Sequence, residues 1–173
     1  MKWRPFRYKG DFFDLSHLNP CDFTYIQPGK GESPKRYSVK VKYSLHCFTR
    51  KLEESDEKDL YYSDSRETRS FDFKRYKLSF KLPDIIASLG ERECYHTTHN
   101  SFFTIEITDT EGQKVDYEIY FDIKKTNKQL QMYINSAYPR DLDRINNRSK
   151  KKKIRFYVIL YNVLHNKKIR RPH

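Results

Sequence analysis

K-V-D-Y-E-I-Y-F-D-I, residues 114–123, decides how the chain is read. Val115, Tyr117, Ile119, Phe121 and Ile123 alternate with Asp116, Glu118, Tyr120 and Asp122. A period of two with one apolar and one polar side predicts a β-strand that buries one face and wets the other. Residues 102–109 and 130–138 flank it with similar composition, separated by a glycine-containing turn at 109–113 and a polar turn at 125–129. Sequential strands joined by short turns pair antiparallel. Residues 154–164 are apolar on both alternating sides, with Ile154, Phe156, Val158 and Leu160 against Tyr157, Ile159, Tyr161 and Val163, and are predicted as a fourth, centrally placed strand. The C-terminal part is therefore read as a four-strand meander.

Residues 37–48 alternate as well, with Tyr37, Val39, Val41, Tyr43, Leu45 and Cys47 on one side. Ser38, Lys40, Lys42, Ser44, His46 and Phe48 form the other, so a single strand is expected to present Lys40, Lys42 and His46 together. Between the strands, residues 71–89 carry Phe73, Tyr76, Phe80, Ile86 and Leu89 at helical spacing. Pro83 suits the first turn of a second short helix and Gly90 its end. The fold class is α+β: a helical segment packed on a twisted, mainly antiparallel β-sheet, with part of the other face, or an edge, left for a ligand. One domain spans 1–173, with a basic aromatic N-terminal arm, an acidic loop near 53–67 and a basic C-terminal tail.

Of 173 residues 36% are hydrophobic and 34% charged, and the net charge is +12. Charge alone would favour disorder, but 14 Tyr and 12 Phe supply the large apolar surfaces of a folded core. No run approaches the roughly 20 apolar residues of a membrane helix, and the first residues lack the apolar segment of a secretion signal. A soluble, cytoplasmic chain with no membrane contact is expected. Cys21, Cys47 and Cys94 are odd in number and scattered, as in a reducing compartment.

The cations are clustered. Lys2, Arg4, Arg7 and Lys9 punctuate the N-terminal arm; Arg148, Lys150, Lys151, Lys152, Lys153 and Arg155 form a dense run; Lys167, Lys168, Arg170 and Arg171 close the chain. Residues 53–67 hold seven acids against Lys58 and Arg66, which concentrates the positive excess elsewhere. Such clusters attract a phosphate backbone. Lys40, Lys42, Lys150, Lys151, Lys152, Lys153 and Arg155 are the candidate nucleic-acid contacts, and Tyr8, Tyr120 and Tyr133 the candidate platforms for unpaired bases.

No phosphate-binding loop, dinucleotide motif or nucleophile elbow is present, and Cys94, His96 and His99 match no zinc spacing. Neither a cofactor nor a metal is expected. Cleaving RNA without metal needs a proton shuttle and cations for the charged phosphorane. His46 and His96 are the candidate shuttles, and Arg69 and Arg75 either the candidate phosphate clamps or the neutralising partners of a carboxylate such as Asp72. Lys124 and Ser136 fall at opposite ends of neighbouring strands, which argues against a scheme using both.

Ser44-Leu45-His46-Cys47-Phe48-Thr49, Arg75-Tyr76 with Leu82-Pro83-Asp84-Ile85-Ile86, and Asn135-Ser136-Ala137-Tyr138 resemble a group of bacterial stationary-phase or heat-shock-associated proteins. The penultimate strand ending in Ser136-Ala137-Tyr138-Pro139 is also similar to the barnase, EndoU, colicin and RelE-type ribonuclease superfamily. That resemblance implies a small metal-independent ribonuclease of toxin type, with Ser136 and Tyr138 at the substrate cleft. The expected function is nucleic-acid binding, RNA in preference to DNA, with metal-independent endoribonuclease activity. The alternatives are a noncatalytic RNA- or DNA-binding regulatory module, or a component of a defence or toxin complex with a protein inhibitor or partner.

Overall fold

The computed structural model describes residues 2–29, 31–97, 101–110, 113–127, 129–140 and 151–170. In chain order the strands are β1 (Phe6–Tyr8), β2 (Asp11–Phe13), β3 (Cys21–Gln27), β4 (Lys35–Tyr43), β5 (Thr49–Arg50), β6 (Tyr61–Ser63), β7 (Thr68–Phe71) and β8 (Glu93–His96), followed by β9 (Phe102–Thr110), β10 (Gln113–Thr126), β11 (Gln129–Arg140) and β12 (Lys153–Arg155). Helices α1 (Phe73–Ser79) and α2 (Leu82–Ala87) precede β8, and α3 (Phe156–Leu164) follows β12.

The large sheet has the order β12-β8-β9-β10-β11-β4-β3. Its neighbours are antiparallel except β11 and β4, which run parallel with Leu130–Ile134 beside Val39–Tyr43. The apolar side of β10 is buried as expected, with Val115, Tyr117, Ile119, Phe121 and Ile123 inside together with Val39, Val41, Met132 and Ile134. The polar side is not fully wet: Asp116 and Glu118 are buried too, Glu118 accepting from the Tyr120 hydroxyl and pairing with Arg140. The meander is four-stranded, β8 to β11, and α+β is the observed class.

Residues 154–164 are not its central strand. Apart from the three-residue β12 they form α3, which buries Phe156, Ile159 and Leu160 at helical spacing. An unbroken apolar run satisfies either period, and here the side chains meet the sheet from its core face. Phe156 packs edge-on against Phe121 at 6.3 Å and Tyr25 at 4.8 Å between ring centres.

The helical reading of 71–89 is realised in α1 and α2. Asp72 caps α1 by accepting the Arg75 N–H at 2.9 Å, and Pro83 sits in the first turn of α2. Gly90 has a different role from the expected stop, because Ser88 caps α2 and Gly90 lies in the following 3-10 turn, Leu89–Glu91. A side chain at position 90 would collide with the ring and hydroxyl of Tyr157, whose hydroxyl donates to the Ile26 carbonyl at 2.8 Å.

The acid-rich segment is likewise no plain solvated loop. It contains the 3-10 turn Lys58–Leu60 and strand β6 of a small sheet ordered β5-β7-β6. Its carboxylates hold neighbours: Asp56 pairs with Arg50, and Glu57 accepts from Tyr8 at 3.0 Å and faces Lys9 at 3.5 Å.

Gly90→Ala is expected to destabilise the fold by about 1–3 kcal/mol through overpacking against Tyr157. Urea denaturation should show a lowered midpoint, and Tyr157→Ala in the same chain should recover part of the loss due to the clash.

Candidate functional site

Strand β4 ends at Tyr43, because Ser44 opens a 3-10 turn over Leu45–Cys47. The Ser44 hydroxyl accepts the His46 N–H at 3.1 Å and donates to the Asn135 carbonyl at 2.6 Å. His46 therefore leaves the face of Lys40 and Lys42 on which strict alternation would put it. Its Nε2 instead meets Glu67 Oε1 at 2.7 Å, and Glu67 Oε2 faces Arg69 at 3.3 Å. Arg69 Nε donates to the Thr49 hydroxyl at 3.0 Å. Arg75 donates to the carbonyls of Thr49 at 2.7 Å and His46 at 3.3 Å, and its guanidinium lies 5.3 Å from the centre of the Tyr138 ring.

Four of the five candidate catalytic residues thus gather around one turn, but not as a free catalytic set. The side chains of Arg69 and Arg75 are only 14% and 20% exposed, and both arginines are engaged by protein acceptors. Burial lowers the Arg75 pKa, against the opposing pull of Asp72. The His46 hydrogen bond holds the Glu67 carboxyl below the usual carboxylate range, with Arg69 adding to it. His96 is elsewhere: it lies on β8, four positions from β4 across the sheet, with its ring 5.5 Å from Phe102.

The outer face of the large sheet, opposite the core, gathers the remaining candidates. Register places Lys42, Tyr133 and Asp122 in one row across β4, β11 and β10, with Lys40, Gln131 and Lys124 in the next. The turn from β6 to β7 overhangs these rows. Asp64 accepts the N–H groups of Arg66 at 2.8 Å and Glu67 at 3.0 Å, while Glu67 is held by His46. Beneath the overhang lies a cleft of about 400 Å³ lined by Trp3, Lys42, Asp64, Arg66, Gln131 and Tyr133. A second lobe of about 260 Å³ continues past Arg66 and Tyr133 to Asp122, Lys124 and Thr126.

A row of rings crosses the same face further along. Tyr95, Phe103, Tyr120 and Tyr138 follow one another at 5.2, 5.2 and 5.7 Å between centres, the last two contacts stacked. Lys151 caps one end, 5.3 Å from the Tyr95 ring centre, and Arg75 the other. Of the basic run, Lys153 is paired with Glu93, the Lys152 carbonyl accepts the His96 N–H, Arg155 is exposed on β12, and Lys150 lies outside the described residues.

Sequence reasoning reached Lys40, Lys42 and Tyr133 but missed Arg66, Trp3, Asp122 and Gln131 as site residues. Arg66 was hidden by the acids around it. The cleft itself joins residues about ninety positions apart through a parallel pairing that no local pattern announces.

Fold and site together define an α+β protein with helices over one face of its main sheet and a cationic, aromatic cleft on the other. The YjaZ family pattern matches residues 5–164, and the chain belongs to that family. Protein YjaZ of Escherichia coli (strain K12) is 35% identical over 176 residues, covering 99% of this chain and 96% of that protein. No solved structure matches. Among the described residues no helix is long and apolar enough to cross a membrane.

Because the folded-state pKa of Glu67 is lowered, its contribution to stability is complete above the unfolded value of about 4.3 and is lost as pH falls through the folded one. Glu67→Gln should therefore lower the urea midpoint at pH 5 to 7, with the difference from wild type shrinking at more acid pH. A difference that persists undiminished at pH 2 would contradict this role.

Proposed function

We propose that this protein binds single-stranded nucleic acid, RNA in preference to DNA, across the outer face of its large sheet. The observation that carries the reading is the grouping of Lys40, Lys42, Lys124, Lys151 and the overhanging Arg66 on that one face, interleaved with Tyr133 and the ring row. Cations spread along a face neutralise successive phosphates, and aromatic side chains between them suit bases freed from pairing. A cleft beneath an overhang admits a splayed-out nucleotide, whereas a rigid duplex presents its bases stacked inward. Binding without cleavage is the favoured form, since Arg69 and Arg75 are engaged by the protein.

Metal-independent ribonuclease activity is the second reading, favoured by the 2.7 Å contact between His46 and Glu67 beside the overhang. There His46 would take the proton of the 2′-hydroxyl, and Arg66 with Lys42 would stabilise the charged phosphorane in place of Arg69 and Arg75. The likeness of residues 136–139 to the ribonuclease superfamily belongs to this reading. Binding to a purely protein partner would instead leave nucleic-acid affinity negligible at low salt.

Affinity for a labelled single-stranded RNA should fall steeply with salt, with a log–log slope of about −2 to −4 if three to five phosphates are contacted. Lys40→Ala and Lys151→Ala should each flatten the slope by about 0.7 to 1. A slope near zero would count against the face as the binding surface. The same RNA incubated with chelator should stay intact; cleavage abolished by His46→Ala would replace binding alone with the catalytic reading.

A further inference from the structure

We infer that the cleft under the overhang is a subsite for one ribonucleotide unit, with the base on Tyr133, the phosphate among Lys42, Arg66 and Lys124, and the ribose 2′-hydroxyl on Asp122. This deepens the proposed RNA binding and rests on it, naming what the cleft within that face would hold. Tyr133 is the starting point. Rings in this protein are heavily paired with one another, as in the stacked contact of Phe6 on Phe71 at 4.0 Å. Tyr133 by contrast makes no ring contact or side-chain hydrogen bond among the described residues, yet it is half-buried and lines both lobes of the cleft.

The surrounding cations carry no close ion pair among the described residues, although Arg66 lies in the field of Asp64. Arg50, Arg92 and Lys153 are matched with Asp56, Glu106 and Glu93. Lys42, Arg66 and Lys124 have no such ion pair among the described residues and converge on the two lobes. Like charges gathered in a concave site repel each other and concentrate an anion. In the sheet, Lys42 and Asp122 flank Tyr133 at the strand spacing of about 4.8 Å, and Lys40 and Lys124 lie one row, about 7 Å, along the strands. A phosphate, a sugar and a base in sequence cover such distances.

Asp122 gives the site its acceptor. Among the described residues its carboxylate receives only a long 3.4 Å bond, from Asn135 to Oδ2, which leaves it capacity for a ribose hydroxyl. Asp64 is the less suited acceptor, because its Oδ1 already takes the backbone N–H groups of Arg66 and Glu67 and it lines only the first lobe, away from Lys124. A deoxyribose would leave the Asp122 carboxylate without its donor, so RNA is favoured over DNA here by a lost hydrogen bond. The two lobes, of about 400 and 260 Å³, together lie within the roughly 300–1,000 Å³ range of small-ligand sites.

Calorimetric titration of the full chain with 5′-AMP, 2′-deoxy-5′-AMP, ribose 5-phosphate and inorganic phosphate tests the inference. Binding of 5′-AMP about tenfold or more tighter than the other three is expected. Tyr133→Leu should remove the advantage of AMP over ribose 5-phosphate, Tyr133→Phe should retain it, and Asp122→Asn should narrow the gap between ribo and deoxy forms. Equal affinities for AMP and inorganic phosphate, or an AMP affinity unchanged in Tyr133→Leu, would overturn the subsite. A ten-residue RNA measured on the same variants separates the two proposals. If it binds tightly and ignores Tyr133→Leu, the outer face stands and the subsite falls; if AMP binds as expected and the RNA binds no tighter, the subsite stands and the extended face falls.

Discussion

The parallel pairing of β11 with β4 is the constraint on which the molecule depends. Five residue pairs, from Leu130 beside Val39 to Ile134 beside Tyr43, join the first quarter of the chain to the meander. A parallel pair cannot be closed by a tight turn, and the connection here runs through the small sheet, α1, α2 and β8 to β10. The pairing is supported from the core side, where Val39, Val41, Met132 and Ile134 are all inaccessible to solvent. A slip of one residue would turn these side chains outward and bring Lys40 and Lys42 into the core. The register that buries the apolar set is therefore the register that aligns Lys42 with Tyr133.

The pairing ends in a controlled irregularity. The register of β10 with β11 shifts between Tyr120 and Phe121, which leaves Asn135 as the extra residue of a bulge. Ser44 takes hold of that residue's carbonyl while its hydroxyl also starts the 3-10 turn that carries His46. The half-buried arginines complete the corner: Arg75 ties the His46 and Thr49 carbonyls to α1, and Arg69 reaches the Thr49 hydroxyl. Charge that looks catalytic in a sequence is spent here on holding a turn, and the turn holds Glu67 and the overhang above the cleft.

What the sequence disclosed follows the range of its signals. Residues 114–123 and 71–89 have local periodicities that tertiary packing reinforces, and both were legible. Residues 154–164 were not, since an apolar run without polar punctuation fits a central strand or a buried helix equally well. His46 was misplaced by one local event, the capping of a turn by Ser44, that ended the strand at Tyr43, five residues before the alternation stops. Lys40 and Lys42 were correctly turned outward by period two. Their neighbours Tyr133 and Gln131 come from a pairing of distant segments, and His96 was separated from them by a strand order that no spacing encodes.

The last helix has a mechanical consequence. Arg155 belongs to β12 at one margin of the large sheet, yet its successors Phe156 and Tyr157 touch Tyr25 and the Ile26 carbonyl of β3 at the opposite margin. The sheet is thus rolled until its borders nearly meet, and α3 acts as a clasp across the seam. One border is only three residues long, and the seven-residue β3 at the other has its Ile26 carbonyl taken by Tyr157. The clasp thereby shortens the row of open backbone groups at the seam of a chain rich in tyrosine and phenylalanine.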